Sequence, residues 1–336
     1  MTAHNTLHGL LFQATSAEYI ALCVQMYQLA RHALLDRLRS GTFRQPAVIF
    51  DLDETLLDNS AYAAWQIHNG TNFDEKTSWK AWCDASEAGA VPGGKEFVRF
   101  VEEEGATPIF ITTRLNECRV GTARNLAKWG LISEEELKRE ERNGNKPDHA
   151  FHTRLFMKGM PDVDVPRPSG PETFKLGNKF LQRVFCGRAR GFEIILSIGD
   201  NLSDYAEYYG RVFDPTGAPA SGEFPTIDSR RASVLQDLNL FGRDFILLPN
   251  PTYGGWLSAF ELNHLGASDE LASTGDPVRQ GLAEPQGVFE YGQSQSVTAD
   301  GPKFTDRALR IWSGPPAPAN KLAVKAGMAK KRGNRR

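Results

Sequence analysis

The chain has 336 residues, of which 40% are hydrophobic and 24% charged, which is ordinary for a globular protein with one large domain or one domain and a small accessory lobe. No stretch approaches the roughly 18 apolar residues that a transmembrane helix needs, so we expect no membrane span. The net charge is −2, but the residues after Pro318 contribute seven positive charges and no acid, so the rest of the chain carries about −9. A body this acidic makes nucleic acid an unlikely partner.

The first predicted element is a helix over residues 7–38. Apolar residues recur there at helical spacing: Ile20, Cys23, Val24, Tyr27, Leu34, Leu35 and Leu38. Such a stripe is typical of a helix that packs one face against a core. Gly41 and Pro46 punctuate the passage into the next element, a strand.

That strand is the apolar run Ala47 to Phe50, which predicts burial on both faces and is followed by the carboxylates of Asp51 and Asp53. Open α/β sheets bind ligands at the carboxyl ends of their strands. A turn just after Asp51 would let both carboxylates border one small site. Because two close acids repel unless a cation or a proton lies between them, and oxygen ligands favour Mg²⁺, the pattern points to a magnesium site. Taken alone, it also fits a solvated turn.

An insertion over residues 59–92 follows and is rich in aromatic residues. These are Tyr62, Trp65, Phe73, Trp79 and Trp82. For Tyr62, Trp65 and Trp82 we predict packing inside a small lobe.

A second buried strand, residues 108–111, ends at Thr112 and Arg114. Residues 116–129 predict the helix that leaves it, with Asn116 as N-cap. Three further segments are predicted from composition: a solvated helix and loop over residues 133–148, a short strand over 155–158 and a loop over 159–170.

A third strand, residues 192–198, is followed by Gly199, Asp200 and Asp204, and residues 245–248 predict another strand. Lys175 and Lys179 lie between the second and the third strand, so an aspartate, a hydroxyl, a lysine and a second acidic pair occur in order on successive strand ends. Phosphoryl chemistry would need these groups at one edge of a sheet.

These segments resemble the signature motifs of the haloacid-dehalogenase-like (HAD) superfamily. The first, from Asp51 to Ser60 with Tyr62 and Trp65 behind it, is similar almost residue for residue to the opening signature of class C non-specific acid phosphatases, many of which are bacterial 5′-nucleotidases. The likeness also reaches residues 16–23, 90–93 and 248–256. It implies an α/β fold, a HAD-like Rossmannoid parallel sheet flanked by helices, with a smaller, mainly α-helical lobe.

The resemblance implies a Mg²⁺-dependent phosphomonoesterase, an acid phosphatase that acts on small phosphate esters through an aspartyl-phosphate. Asp51 would be the nucleophile, and Asp53 the general acid and base, which predicts a pH optimum below neutral. Mg²⁺ would be held by the Asp51 carboxylate, the main-chain carbonyl of Asp53 and Asp200. Thr112 would donate a hydrogen bond to the phosphoryl oxygens.

A lysine should supply positive charge to the phosphate, and Lys158, Lys175 and Lys179 are the candidates. Lys179, which lies 21 residues before Asp200, fits the third motif of the family best. Asp204 would orient Lys179 or metal-bound water.

Nucleoside 5′-monophosphates are the substrates that the resemblance favours. Trp79 stands where related nucleotidases carry an aromatic that stacks on a base, and Tyr253 matches the opposite face, although the loop before Trp79 is one residue longer than the family pattern. Stacking contributes about 1–3 kcal/mol per base. For Arg114, substrate binding and a purely structural pair both remain open.

We expect residues 1–268 to form the HAD-like acid phosphatase domain, with its helical lobe drawn from about 1–40, 59–92 and later segments. Residues 205–243 fit a lid or a surface loop. Residues 269–336, rich in Gly, Ser, Gln and Asp, predict a poorly ordered extension with a basic tail.

Two other functions remain open: a HAD phosphatase for a sugar phosphate or another small ester, and a non-catalytic nucleic-acid binder that uses the basic tail. The start of the chain lacks a secretory signal, so we expect a cytoplasmic protein, with export, which is typical of the family, as the alternative. Four scattered cysteines without a Cys-x-x-Cys pair predict buried or incidental thiols and neither a metal site nor a disulfide framework. The sequence does not predict the oligomeric state.

Overall fold

The computed structural model describes residues 7–144, 146–166, 170–209, 225–259 and 312–315. Its helices are α1 (Leu7–Thr15), α2 (Ala17–Ser40), α3 (Ser60–Asn69), α4 (Ser78–Ala85), α5 (Gly94–Glu103), α6 (Arg119–Lys128), α7 (Glu134–Asn143), α8 (Lys179–Arg188) and α9 (Ile227–Gln236). Its strands are β1 (Pro46–Phe50), β2 (Leu57–Asp58), β3 (Gly89–Ala90), β4 (Thr107–Leu115), β5 (Leu155–Lys158), β6 (Val163–Val165), β7 (Glu172–Phe174), β8 (Glu193–Gly199) and β9 (Phe245–Leu247).

Five strands form a parallel sheet in the order β5-β4-β1-β8-β9. After β1 the chain first builds β4 and β5 on one side and later β8 and β9 on the other. The strand order therefore reverses at β1, and the carboxyl ends of β1 and β8 lie side by side at this switch point, where α/β sheets bind ligands. The predicted fold, a parallel sheet flanked by helices, is confirmed.

The core forms around β1, because residues 47–50 are all buried. The Phe50 ring lies 5.8 Å from Phe97 on α5 and 6.1 Å from Phe110 on β4. Helix α2 packs against α5, β8 and β9, while α8 contacts β4 and β5. A strand that is apolar along its whole length is covered in this way on both faces.

The aromatic insertion leaves the sheet through a narrow neck, where β2 pairs antiparallel with β3. It carries α3 and α4, and α1 packs against α3. The ring of Tyr62 lies 5.9 Å from Trp65 and 6.1 Å from Trp82, so the packing predicted for these three residues is present. The division of the chain into domains stays a prediction.

The N-terminal helix predicted over residues 7–38 is in fact two helices. Ser16 separates them, and its side chain caps α2 by accepting a hydrogen bond from Tyr19 N at 3.0 Å. The predicted core stripe was wrong at Ile20 and Val24, which are 52% and 39% exposed. The face of α2 that meets the core instead follows the buried residues Tyr19, Cys23, Tyr27, Ala30 and Leu34.

Asn116 is not the N-cap of a helix. It begins a 3₁₀ turn, Asn116–Cys118, and its Oδ1 accepts a hydrogen bond from Arg119 Nε at 2.8 Å. The segment 133–148 is not fully solvated, since Glu140 is buried. The predicted loop over 159–170 contains β6, which pairs antiparallel with β7.

The predicted C-terminal extension lies outside the described residues except for residues 312–315, and residues 210–224 of the predicted lid or loop also lie outside them. Trp312 is buried among the aromatic rings of the insertion. All four cysteines lie in the described part and are buried free thiols, as predicted. No described helix combines the length and the apolar composition that a membrane span requires.

Candidate active site

The candidate active site is a cavity of about 590 Å³ at the switch point of the sheet. Strand β1 ends at Phe50, and the backbone N–H of the next residue, Asp51, donates to Ile198 O on β8 at 2.9 Å. This pairing sets Asp51 beside the end of β8, where Asp200 follows. The predicted carboxylates that line the cavity are Asp51, Asp53, Asp200 and Asp204.

Lys179, the first residue of α8, brings a buried positive charge to Asp51. Asn178 caps the helix by accepting from Leu181 N at 2.9 Å, which fixes where Lys179 begins it. The Nζ of Lys179 lies 2.6 Å from Asp51 Oδ1 and donates to Asp204 Oδ1 at 2.7 Å. Burial lowers the pKa of Lys179, but Asp204 and Asp51 outweigh it, so the pKa is raised and the side chain is a cation.

The other two candidate lysines pair with carboxylates other than Asp51. Lys175 has a 66% exposed side chain that pairs with Asp162 at 2.6 Å. Lys158 reaches the cavity, where it pairs with Glu75 at 3.1 Å. The structure thus brings only Lys179 of the three against Asp51, and its role at the phosphate stays a prediction.

Three carboxylates converge on one point. Oxygen atoms of Asp51, Asp200 and Asp204 lie within 4.8 Å of one another. Burial, opposed by Lys179, raises the pKa of Asp51 well above its usual range. Burial and then the charge of Asp204 raise the pKa of Asp200 to about 7. A divalent cation would relieve this mutual repulsion.

The arrangement of the oxygen atoms also fits a cation. Thr55 Oγ1 donates to Asp200 Oδ1 at 3.2 Å, and Asn250 Nδ2 donates to Asp200 Oδ2 at 2.9 Å. The Oδ1 of Asp51 is buried, and Lys179 Nζ lies 2.6 Å from it. A donor set made only of oxygen suits Mg²⁺ better than zinc or copper.

Asp53 lies outside this cluster and is held by Arg114. The guanidinium donates from Nη2 to Asp53 Oδ1 at 2.6 Å and from Nε to both oxygens at 3.0 and 3.2 Å. Asn59 Nδ2 donates to the same Oδ1 at 2.9 Å. Arg114 is 2% exposed and therefore forms a buried pair, while a contact with substrate stays a prediction.

Thr112 lies within β4 and is buried. It is 1% exposed, and its Oγ1 accepts from Arg114 N at 3.1 Å, which leaves the hydroxyl proton for another partner. The neighbouring Thr113 lines the cavity, whereas Thr112 does not. Donation by Thr112 to a phosphate remains a prediction.

Trp79 and Tyr253 both line the cavity, but they differ in exposure. Trp79 is 8% exposed, because its ring packs 5.1 Å from Tyr62 and 5.6 Å from Phe73. Tyr253 is 43% exposed, and its hydroxyl donates to Glu54 Oε2. The most exposed ring at this wall is Phe73, at 59%.

The sequence interpretation missed Glu54 and Asn59, although both lie inside the Asp51–Ser60 motif. Glu54 is buried at a φ of +53° and accepts from Asn59 N at 2.9 Å and from Gln13 Nε2 at 3.3 Å. Burial and then the charge of Asp53 raise its pKa to about 8. Asn59 Oδ1 accepts from Trp82 Nε1 at 2.8 Å. Their positions inside the Asp51–Ser60 motif could have identified both residues as part of the site. Their residue types alone do not predict the hydrogen bonds that they form.

Comparisons with known proteins agree with this geometry. Residues 3–152 match the family model "HAD superfamily, subfamily IIIB (Acid phosphatase)". The class C acid phosphatase from Bacillus anthracis is a similar solved structure, with 26% sequence identity and a TM-score of 0.58 over 84% of this chain and 98% of that one. A second structure of that enzyme, with tungstate bound, matches with the same values. The matched region includes Asp51 and Asp53, and the similar structures are class C acid phosphatases, so the chain is similar to the subfamily IIIB acid phosphatases of the HAD superfamily, and these matches support a phosphoric monoester hydrolase.

Proposed function

We propose that this acid phosphatase is Mg²⁺-dependent and hydrolyses nucleoside 5′-monophosphates through an aspartyl-phosphate on Asp51. The observation that carries the proposal is the position of Asp51. It lies at the end of the central strand, 2.6 Å from the Lys179 cation and within the cluster that includes Asp200. A nucleophile in this setting can meet a phosphoryl group beside the Lys179 cation, and a metal ion held by the cluster would supply a second positive charge.

In the first step, an Asp51 oxygen attacks phosphorus and the bond from phosphorus to the leaving oxygen breaks. Lys179 offsets the negative charge that spreads over the phosphoryl oxygens. Asp53 delivers a proton to the leaving oxygen, so the product departs as an alcohol. The leaving group then makes room for water.

In the second step, Asp53, now a carboxylate, takes a proton from water, and the water oxygen attacks phosphorus. The bond to Asp51 breaks, which releases inorganic phosphate and restores the nucleophile. Arg114 and Asn59 hold the Asp53 carboxylate in one orientation throughout, because both donate to its Oδ1. This orientation lets one group serve both proton transfers.

Asp51 and Asp200, with the main-chain carbonyl of Asp53 by family resemblance, would hold Mg²⁺. When bound, the ion would offset charge on the phosphoryl oxygens. The oxygen-only donor set and the raised pKa values of Asp51 and Asp200 support this assignment. The Bacillus anthracis enzyme was solved with tungstate, an oxyanion, which supports an oxyanion subsite here as well.

The cavity walls support a nucleotide as substrate. The volume of about 590 Å³ is in the range of sites for small organic ligands. Trp79 and Tyr253 line it and offer aromatic surface to a base. The rings of Phe73 and Tyr62 cover most of Trp79. A base would stack on Trp79 after the Phe73 ring moves away and exposes part of the Trp79 ring.

The test is Trp79→Ala, assayed on nucleoside monophosphates and on p-nitrophenyl phosphate. Stacking of a base on one aromatic ring contributes about 1–3 kcal/mol of binding free energy. Its loss should lower kcat/KM for the nucleotide by about 5- to 150-fold relative to the aryl ester. Trp129→Ala is the control, because Trp129 is half-buried and does not line the cavity. An unchanged ratio would reject base stacking and favour a sugar phosphate or another small ester.

A further inference from the structure

Trp312 lies far from the motifs along the chain, yet it is only 3% exposed. Its ring lies 5.3 Å from Trp65, 5.4 Å from Trp82 and 6.1 Å from Tyr62. We call these three residues of the insertion the aromatic cage. The backbone N–H of Trp312 also donates to Ala61 O on α3 at 3.1 Å. Ring contacts on several sides and a backbone hydrogen bond fix Trp312 in a single place.

The residues after Trp312 are fitted closely to the cage as well. Gly314 has a φ of +89°, a conformation that side chains rarely adopt. A Cβ at this position would lie 2.9 Å from Trp65 Nε1. The segment 312–315 therefore follows one path across the cage.

The cage is connected to the cavity along two routes. Tyr62 lines the cavity, its ring meets Trp79 at 5.1 Å, and its hydroxyl lies 2.9 Å from Ser78 Oγ. Trp82 donates from Nε1 to Asn59 Oδ1 at 2.8 Å, and Asn59 in turn donates to Asp53. Removal of the Trp312 ring would leave both routes unsupported on their outer side, because packed rings hold their position through contact on all sides.

We propose that Trp312 is a positioning residue, which closes the aromatic cage and so holds Tyr62 and Trp79 as a wall of the substrate cavity. The C-terminal segment thereby sets the affinity for the part of the substrate beyond the phosphate. The kinetic part of this inference rests on the proposed function, in which Trp79 faces that part of the substrate. The route through Tyr62 acts on the wall, and it does not include Lys179, which pairs with Asp51.

The experiment compares Trp312→Ala and the conservative Trp312→Phe in the full chain. The substrates are a nucleoside monophosphate and p-nitrophenyl phosphate. Coupling between sites of this kind is commonly about 0.5–2 kcal/mol, so we expect Trp312→Ala to raise the nucleotide KM by about 2- to 30-fold. The KM for the small aryl ester should change far less, and Trp312→Phe should restore most of the nucleotide affinity. Trp129→Ala, whose Nε1 donates to Ala88 O at 3.0 Å, is the matched control for loss of a packed indole.

A second readout needs no turnover. Acrylamide quenching is compared in chains with and without Trp79→Phe, so that the difference reports the Trp79 indole alone. Trp312→Ala should increase the quenching of Trp79, and Trp129→Ala should leave it unchanged. Should the wild-type chain release no phosphate, the proposed function fails, and the quenching still decides the role of Trp312. Unchanged quenching of Trp79, or equal changes of KM for both esters, would overturn the inference.

Discussion

Arg114 and Asp53 form a buried ion pair in which Nη2 of Arg114 lies 2.6 Å from Oδ1 of Asp53. The two residues come from the ends of neighbouring strands, β4 and β1, and the pair links the group proposed for proton transfer to the frame of the sheet. Asn59 adds a second donor to the same oxygen. Orientation of Asp53 thus depends on residues that need not contact the substrate.

Arg114→Lys should lower activity without unfolding the protein. A lysine keeps the charge but cannot supply the planar fork that bonds both Asp53 oxygens, so we expect kcat for p-nitrophenyl phosphate to fall by about 10- to 100-fold. The control is Arg99→Lys, since Arg99 forms an exposed pair with Glu103 at 2.8 Å. Equal kcat for Arg114→Lys and wild type would show that Asp53 needs no such orientation.

Substitution of two lysines separates the site from the surface. Lys179→Met removes the cation beside Asp51 and should reduce kcat/KM by about 10²- to 10³-fold, since loss of one charge-stabilising donor has effects of this size. Lys175→Met removes an exposed cation that pairs with Asp162 and should leave kcat/KM unchanged. Steady-state kinetics on one ester suffice. A larger loss of kcat/KM for Lys175→Met than for Lys179→Met would show that the phosphate binds away from Asp51.

The cluster of Asp51, Asp200 and Asp204 predicts that activity depends on a metal ion. Treatment with a chelator should abolish phosphate release, and added Mg²⁺ should restore it. Asp200→Asn removes the charge of one proposed ligand and should raise the Mg²⁺ concentration for half-maximal rate by about 10-fold or more. Asp162→Asn, at an exposed position, is the control. Full activity of the chelated wild type would contradict the metal assignment.

Stability should depend on Glu140, which lies outside the active site. This buried carboxylate contacts Arg119 Nη1 at 2.6 Å, His149 Nε2 at 2.8 Å and Thr153 Oγ1 at 2.5 Å. Burial raises the pKa of Glu140, but the contacts with His149, Arg119 and Thr153 outweigh it, so the pKa is lowered. The folded state therefore binds this proton less readily than the unfolded chain does. The stabilisation is complete above the ordinary pKa of 4.5 and is lost as pH falls through the folded-state value.

Glu140→Gln should accordingly lower the free energy of unfolding at pH 7 by about 3–5 kcal/mol, because it leaves Arg119 buried without its counter-ion. The difference from wild type should shrink as the pH falls below the ordinary glutamate value. Urea unfolding at several pH values measures both effects. Glu141→Gln, which breaks an exposed pair with Arg124, should cost far less. A pH-independent difference for Glu140→Gln would rule out the charge as its cause.

The sheet and the acidic site could be predicted from the sequence because their signals are local. Ala47 to Phe50 is a short apolar run that ends in two aspartates, and residues 192–198 repeat this arrangement before Asp200. Apolar runs of this length predict buried parallel strands, and parallel strands bring their carboxyl ends to one edge. The position of Asp51 beside Asp200 follows from these two steps.

Other features depend on contacts between distant segments, which a single sequence does not show. Gln13 reaches Glu54 from α1, and Arg119 finds Glu140 across 21 positions. Trp79 was expected to present a face to a base, yet its exposure is set by Phe73 and Tyr62. The composition around Trp312 gave no signal that its ring enters the aromatic cage, because one buried indole hardly changes the average hydropathy of a polar segment.

The most direct test of the central claim is phosphate release by the wild type and by Asp51→Asn, with and without Mg²⁺, from a panel of nucleoside monophosphates and p-nitrophenyl phosphate. Asn keeps the size of Asp51 but cannot form the acyl phosphate. We expect the wild type to turn over these esters only with Mg²⁺, and the folded variant to show no turnover under any condition. Turnover by Asp51→Asn at the wild-type rate, or no turnover by the folded wild type, would contradict the proposed mechanism.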